Sequence, residues 1–346
     1  AQGGQWIGEH VKYLHPNYRI FTDTRHFYSG RKLTASLTEG QSSEVSTLEL
    51  VKVSIKGEEY SLGLMVCEDM WHKDYPVNPG KILAAKGAEV LINVSASPWT
   101  WKKNQKRHRV VKELLSECQI PLIYVNNVGT QNNGKNIIVF DGSSTVYNRD
   151  GEVIFKVPPY YSGVFTISDL YNKEPLSATA DNDTEELFNA ITTGIEGILA
   201  LLPADKRKII IGLSGGIDSA VVAALMTALV GKENVYAVNM PSNYNSEKTK
   251  DIARRIAKNL GISYEVIPIQ EIVDLNARLV KADKGTLTYE NIQARARLSI
   301  LAAKAQELGG VFTSNGNKVE LAFGYATLYG DLGGFLAPIA DLAKRE

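Results

Sequence analysis

The chain has 346 residues, enough for two domains with cores of their own. Hydrophobic residues make up 44% and charged residues 22%, which excludes a disordered chain. Lysine plus arginine number 38 and so do aspartate plus glutamate, so no basic excess marks a sequence-independent nucleic-acid binder. The longest apolar runs, such as Gly197 to Leu202, fall far short of the roughly 20 residues of a membrane helix, and no membrane partner is expected. Cys67 and Cys118 make no disulfide framework, and the expectation is a reducing, cytoplasmic setting. The opening Ala1-Gln2-Gly3-Gly4 has neither Met nor a charged-then-apolar leader, which suggests a processed product or a piece of a longer protein.

Residues 48–66 alternate and then turn apolar through Ser61 to Val66, which predicts a strand running into a sharp turn before Cys67. Lys81 to Lys86 predicts a short helix and Glu89 to Val94 a buried strand. Helical spacing through Val110, Val111, Leu114 and Leu115 predicts a helix over Gln105 to Cys118, followed by a strand over Leu122 to Asn126. Ile137 to Val146 and Gly151 to Val157 read as a strand pair joined at Arg149-Asp150-Gly151. Two adjacent prolines and a run of small and polar residues follow, and 171–182 is taken as a linker between domains at 1–170 and 183–346. Thr184-Glu185-Glu186 opens a helix whose apolar pattern runs to Leu202.

Strand and helix then alternate. Strands are expected over Lys208 to Leu213, Val235 to Met240, Tyr264 to Ile269 and Gly310 to Thr313. Helices are expected over Ser219 to Val230, Ser246 to Leu260 and Tyr289 to Leu308. The fold class is α/β, and the second half is expected to be a doubly wound parallel sheet. No internal repeat or low-complexity segment is present.

The stretch Gly212-Leu213-Ser214-Gly215-Gly216-Ile217-Asp218-Ser219 lies between a β-branched strand and a helix. Its glycines let backbone N–H groups approach a ligand, Ser214 and Ser219 add hydroxyls, and the helix N-terminus favours an anion. The Gly-Lys-Ser/Thr ending of a Walker loop is missing. Asp218 puts a carboxylate where phosphate would sit, a repulsion best relieved by a divalent cation such as Mg²⁺. A Gly-rich turn with a capping serine is the bland alternative. In the first half, Cys67 follows an apolar strand on a tight turn. Such a thiol serves either as a nucleophile or as an ordinary core residue. Cys118, on an amphipathic helix, keeps the core reading, and Lys12 taken alone is a solvated lysine.

The pattern SGGxDS resembles the signature of ATP pyrophosphatases, which split ATP into AMP and pyrophosphate. Lys12-Tyr13-Leu14-His15-Pro16-Asn17-Tyr18, Phe21 and Arg25-His26-Phe27 resemble the lysine segment of nitrilase-type amidases. INVSASPWTWKKNQKR at 92–107, YVNNVG at 124–129 and FDGSS at 140–144 resemble segments of the same amidases. Together with Thr288 to Arg295, Asn315 to Glu320 and Gly324 to Asp331, the arrangement resembles the glutamine-dependent NAD⁺ synthetases over essentially the whole chain.

That resemblance implies an α-β-β-α amidase sandwich, represented in part, before a Rossmann-like ATP pyrophosphatase domain. Cys67 would attack glutamine held by Tyr18, Ser97 and Lys103. Lys12 would lower the thiol pKa and hold the oxyanion together with the Glu68 backbone N–H. Ammonia would pass to the second half through a protected passage. There the carboxylate of deamido-NAD⁺ attacks the α-phosphorus of ATP, and ammonia displaces AMP. Gly212, Leu213, Ser214, Gly215, Gly216, Ile217, Asp218, Ser219 and Asn315 would bind ATP. Asn291, Glu320, Tyr325, Ala326, Thr327 and Leu328 would bind deamido-NAD⁺, and Asp218 with Glu320 would hold Mg²⁺. Glu320 also reads as a helix N-terminal carboxylate. Family members are usually homo-oligomers.

The resemblance places the amidase's general-base Glu well upstream of Lys12, and a substrate-closing loop beyond Asp331. Neither is found in the chain, so it is expected to be impaired in glutamine hydrolysis on its own. Three alternatives stay open at this stage. They are an ammonia-dependent synthetase with an inactive amidase half, another glutamine-fed ATP pyrophosphatase, and a non-catalytic scaffold.

Overall fold

A computed structural model describes residues 2–38, 48–132, 136–177, 182–244 and 247–345. Ser246, the expected first residue of a helix, and linker positions 178–181 lie outside the described residues. Among the described residues no helix is long and apolar enough to cross a membrane. The chain forms two compact units, Ala1–Gly194 and Ile195–Glu346.

Unit one begins with helix α1 (Gly30–Thr38), strands β1 (Leu50–Ile55) and β2 (Glu58–Val66), and helix α2 (Pro79–Ala85). Strand β3 (Val90–Ser95), helix α3 (Lys103–Cys118) and strand β4 (Leu122–Asn126) follow. Strands β5 (Val128–Asn132), β6 (Ile137–Asp141), β7 (Thr145–Tyr147) and β8 (Val153–Lys156) complete it. The continuous strand expected over 48–66 is instead an antiparallel hairpin. Lys56 and Gly57 both have positive φ and close a two-residue turn whose twist suits hairpin strands. The strand expected over 137–146 is also broken, at Gly142 and Ser143, both with positive φ. Its first part pairs with β5, a strand the sequence reading did not foresee, and its second part with β4 and β8.

The six-stranded sheet has the order β1-β2-β3-β4-β7-β8, with β2, β3 and β4 mutually parallel. Alternation divides its faces. Leu91, Asn93 and Ser95 of β3 and Leu122, Tyr124 and Asn126 of β4 are buried, whereas Val94 and Val125 are exposed. Leu83 of α2 and Val111, Leu114 and Leu115 of α3 close the core with Met65, Met70, Leu91 and Leu122. The parallel strands thus end together, β2 at Val66, just before Cys67, β3 at Ser95 and β4 at Asn126.

Helix α4 (Asp183–Leu199) spans the division between the units, beyond the 171–182 stretch read as a linker. Its first turns are held on unit one, where Trp99 Nε1 donates to Glu186 Oε1 at 2.8 Å and Lys102 lies 3.2 Å from Asp183. Unit two continues with β9 (Lys208–Gly212), α5 (Ile217–Val230), β10 (Val235–Asn239), α6 (Glu247–Leu260) and β11 (Ser263–Val266). Helices α7 (Gln270–Val280) and α8 (Leu287–Leu308), strand β12 (Gly310–Phe312) and helix α9 (Lys318–Phe323) follow. Helices α1 and α7 were not foreseen, and α9 was anticipated only as a helix start at Glu320. The strand expected over 264–269 ends at Val266, because Ile269 tucks into the core as α7 starts.

The four strands of unit two are all parallel in the order β11-β10-β9-β12. The chain walks from β9 to β11 in one direction and then returns to the other side of β9. The crevice beyond the carboxyl ends of β9 and β12 is therefore a topological switch point, where open α/β sheets bind ligands.

Candidate active sites

In unit one, Cys67 sits at the end of β2 with φ at 47°, a left-handed conformation unusual for a residue with a side chain. The Asp69 carboxylate holds this turn. Fully buried, it accepts from the backbone N–H groups of Val66 at 2.9 Å, Tyr13 at 3.0 Å and Leu14 at 2.7 Å. His10 Nε2 lies 2.9 Å from its Oδ2. One aspartate therefore docks residues 10–14 on the nucleophile turn and so brings in Lys12. The Lys12 ammonium pairs with Asp23 at 2.5 Å.

Burial pushes the Cys67 thiol up, and the neighbouring Glu68 carboxylate adds to this. Lys12, the Ser95 hydroxyl and the Ala96 N–H oppose it without prevailing. Lys12 thus acts in the expected direction, but the net shift is upward. The thiol is held protonated at rest, because desolvating a thiolate costs more than one partly screened ammonium returns.

Glu68 is 4% exposed, and both its oxygens accept from tyrosines, Oε1 from Tyr75 at 3.0 Å and Oε2 from Tyr18 at 3.1 Å. Lys103, the first residue of α3, places its Nζ 4.4 Å from the centroid of the Trp71 ring. Burial, then Arg107 and Lys106, lowers its pKa to about 8. Ser97 is buried. Its carbonyl accepts from Arg107 Nη2 at 2.9 Å and from Asn126 Nδ2 at 3.1 Å, and its Oγ lies 3.3 Å from Arg107 Nη2. Its backbone N–H donates to Asn126 Oδ1 at 2.8 Å.

Arg107 in turn grips Asp141 with Nη1 at 2.9 and 2.7 Å, both side chains being buried. Burial alone would raise the Asp141 carboxyl, but the guanidinium outweighs it and the net shift is downward. That contribution to stability is present above the unfolded aspartate range, about 3.9, and is lost as pH falls below it. Arg107→Met leaves Asp141 buried without its cation and is expected to cost about 3–5 kcal/mol in urea unfolding followed through unit one. Arg107 and Asp141, like Asp69, Tyr75 and the Glu68 side chain, were not singled out from the sequence. Two acids directly after the cysteine were the available signal.

In unit two, the loop from β9 to α5 is tied on itself. Gly215 takes φ at 88°, and the Gly216 N–H donates to Ser214 Oγ at 3.2 Å. Ser219 Oγ donates to the Gly216 carbonyl at 3.0 Å and accepts from the Ser214 N–H at 3.3 Å, so this hydroxyl braces the loop. Leu213 turns its side chain into the core, and its carbonyl accepts from Asn239 Nδ2 at 2.7 Å. From beyond β12, Asn315 Nδ2 donates to the Gly212 carbonyl at 3.0 Å, across 103 positions of sequence.

Asp218 and Glu320 meet through Asn317. Its Nδ2 donates to Asp218 Oδ1 at 3.2 Å, and its backbone N–H donates to Glu320 Oε2 at 3.0 Å. Glu320 completes the capping box of α9, in line with the helix-start reading. Lys344 Nζ lies 3.7 Å from Asp218 Oδ2. Among the described residues no group of three or more His, Cys, Asp or Glu side chains could hold a metal.

Gly212, Leu213, Ser214, Gly216, Asp218, Ser219, Asn315, Glu320 and Ala326 line one cavity of about 390 Å³. Gly215 and Ile217 belong to the loop but not to that lining, and neither do Asn291, Tyr325, Thr327 and Leu328. The last four gather beside it. Thr327 Oγ1 donates to Asn291 Oδ1 at 2.7 Å and Arg295 Nε to the Leu328 carbonyl at 3.3 Å, while Tyr325 is exposed. Arg297, Met240 and Asp331 also line the cavity and had no assigned role. Arg297 Nε donates to the Met240 carbonyl at 3.2 Å.

Residues 1–168 match the carbon-nitrogen hydrolase family and residues 187–346 the NAD synthase family. A glutamine-dependent NAD(+) synthetase of Synechocystis is 36% identical over 99% of this chain and 59% of its own length. That of Thermotoga maritima is 31% identical over 100% of this chain and 62% of its own. The chain therefore spans about three fifths of the relatives it matches. A solved glutamine-dependent NAD+ synthetase of Acinetobacter baumannii, in complex with ADP, superposes with a TM-score of 0.83 at 29% identity, covering 99% of this chain and 61% of that one. With a match to the carbon-nitrogen hydrolase family followed by a match to the NAD synthase family, this chain is similar over nearly its whole length to glutamine-dependent NAD⁺ synthetases.

Proposed function

We propose that the chain is the core of an enzyme that amidates deamido-NAD⁺ to NAD⁺ with ATP, using ammonia released from glutamine. The observation that carries this reading is the pairing of two sites on one chain. One is a cysteine on a strained strand end, with a lysine docked beside it. The other is a glycine-serine loop facing two carboxylates at a switch point.

At the first site, Cys67 attacks the glutamine amide carbon, ammonia leaves, and water then releases glutamate from the thioester. Because burial holds the thiol protonated, the attack needs a base to take its proton. By the resemblance to nitrilase-type amidases, that base is a glutamate upstream of Lys12. The Glu68 N–H and the Lys12 ammonium stabilise the oxyanion. Tyr18, Ser97 and Lys103 hold the glutamine, with Lys103 on its carboxylate. Lys103 is an ammonium below about pH 8 and neutral above it. KM for glutamine is therefore expected to rise above that pH, toward about tenfold per unit, with kcat changing less. Lys103→Arg is expected to keep KM flat to higher pH. Initial rates across the range check both.

At the second site, the deamido-NAD⁺ carboxylate attacks the α-phosphorus of ATP and pyrophosphate leaves. Ammonia then attacks the acyl carbon of the adenylate and AMP leaves. The Ser214, Gly215 and Gly216 backbone and the α5 N-terminus face the phosphates. Asn291 and residues 325–328 hold deamido-NAD⁺. Asp218 and Glu320 are hard oxygen donors on one cavity, the donor set that suits Mg²⁺. Bound there, the ion would neutralise charge on the phosphates.

The test is NAD⁺ formation from deamido-NAD⁺ and Mg·ATP by the full-length protein, with glutamine and ammonium in parallel. Turnover with both supports the reading. Turnover with ammonium alone means an inactive amidase unit, and turnover with neither points to another acid substrate or to a scaffold.

A further inference from the structure

Residues 10–14 belong to no helix or strand, so their place in unit one is set by what their polar groups reach. Several of those groups converge on one carboxylate. Asp69 Oδ1 accepts from the N–H groups of Tyr13 and Leu14, and Oδ2 accepts from the N–H of Val66 and from His10 Nε2. Two donors on each oxygen fill the roughly four acceptor positions of a carboxylate. Val66 and Asp69 lie on either side of Cys67 in sequence, and His10 and Tyr13 lie on either side of Lys12. One buried group therefore ties the backbone around the lysine to the backbone around the cysteine.

Three of the four donors are backbone groups, which almost any side chain leaves in place. His10 is the exception. A carboxylate only accepts, so the ring Nε2 is the donor across 2.9 Å, and the ring is 3% exposed. Its Nδ1 is buried with no hydrogen-bond partner among the described residues, so the ring gives its polar chemistry to Asp69 alone. Tyr13 and Leu14 hold the chain after Lys12, and the Gly30 N–H donates to the Lys12 carbonyl at 2.9 Å. His10 holds the chain before it.

We propose that His10 is a positioning residue for amide hydrolysis. Through Asp69 it keeps Lys12 in register with Cys67, so that the ammonium meets the oxyanion as it forms. This rests on the amidase reading above and adds a residue that acts through another. Such a constellation works within about 0.5 Å of its productive geometry. A misplacement of about 1 Å costs on the order of 10² in rate. The effect falls on kcat, because the oxyanion exists only once the thiol attacks.

The test uses the full-length protein and reads kcat and KM for glutamine, with ammonium-driven NAD⁺ formation in parallel. His10→Ala removes the donor and is expected to lower kcat about 10²-fold, with KM within about threefold and ammonium-driven synthesis unchanged. His10→Gln carries an amide N–H about where the ring has Nε2, and is expected to restore most of kcat. A ring needed only for packing would not be rescued in this way. Equal losses in the two variants, or no loss in His10→Ala, would overturn the proposal, and so would a raised KM at unchanged kcat. If His10→Ala does not fold, His10→Asn takes its place, being one methylene shorter than glutamine at the same position. Activity there equal to that of His10→Gln overturns the proposal. A wild type that hydrolyses glutamine no better than His10→Ala sinks this proposal and leaves the amidase reading standing. A wild type that hydrolyses no glutamine sinks both.

Discussion

Cys67→Ala in the full-length protein is expected to lose glutamine-dependent NAD⁺ formation by about 10³-fold or more while retaining synthesis from ammonium. The sulfur is the only atom removed that can form the acyl-enzyme, and no neighbouring hydroxyl replaces it. The substitution acts within unit one, whereas the phosphate-facing loop, Asp218 and Glu320 all belong to unit two. Alanine is smaller than cysteine but keeps the Cβ, so the turn held by Asp69 keeps its hydrogen bonds from Val66, Tyr13 and Leu14. Parallel assays with the two nitrogen sources read the result directly. Equal loss with both would mean that the cysteine supports the fold rather than the chemistry. No loss with glutamine would remove it from the mechanism.

Asp218→Asn is expected to show the opposite pattern, lowering synthesis about 10²–10³-fold with either nitrogen source. The asparagine keeps an oxygen for the Asn317 amide, so the Asn317 bridge to Glu320 is retained. What disappears is a negative charge facing the cavity. The stability cost is small, because Asp218 in the first turn of α5 gains only about 0.3–1 kcal/mol from the helix dipole. A rate restored in part by raised Mg²⁺ would place the loss in metal binding. Glu320→Gln serves as the companion, because glutamine preserves the capping box of α9 while removing the second charge. Thermal unfolding near the wild-type value with a collapsed rate would separate chemistry from folding. Full activity in both variants would remove the carboxylate pair from the site.

These expectations draw unequally on sequence and structure. Apolar periodicity located α3, β4, α5, β10 and α8 to within a few residues, since each is governed by near neighbours on one face. The SGGxDS loop was legible for the same reason, because a tight turn between a β-branched strand and a helix is a local property. The hairpin at Lys56-Gly57 and the break at Gly142-Ser143 were not legible. Both turns sit inside stretches read as single strands, and positive φ values at Lys56, Gly57, Gly142 and Ser143 mark where each strand ends. Helix α7 was missed because its buried positions, Val273 and Ala277, are few, and the rest of its apolar stripe is exposed.

The resemblance supplied the residue types of both sites, and the tertiary structure supplied their partners. Glu68 reads as one acid in Cys67-Glu68-Asp69 until Tyr18 and Tyr75, from opposite sides in sequence, close on it. Ser97 reads by resemblance as a glutamine contact, and the structure adds that its hydroxyl accepts from Arg107, anchored by Asp141. Composition, the strand-helix alternation of unit two and the location of the two candidate centres follow from the sequence alone, because they depend on side-chain chemistry and short-range backbone preference. Two outcomes were decided by the tertiary structure. One is the meeting of the 212–219 loop with Asn315, Asn317 and Glu320, and the other is the net upward shift of the Cys67 thiol. Both depend on strand order and burial, which are sums over residues far apart in the chain.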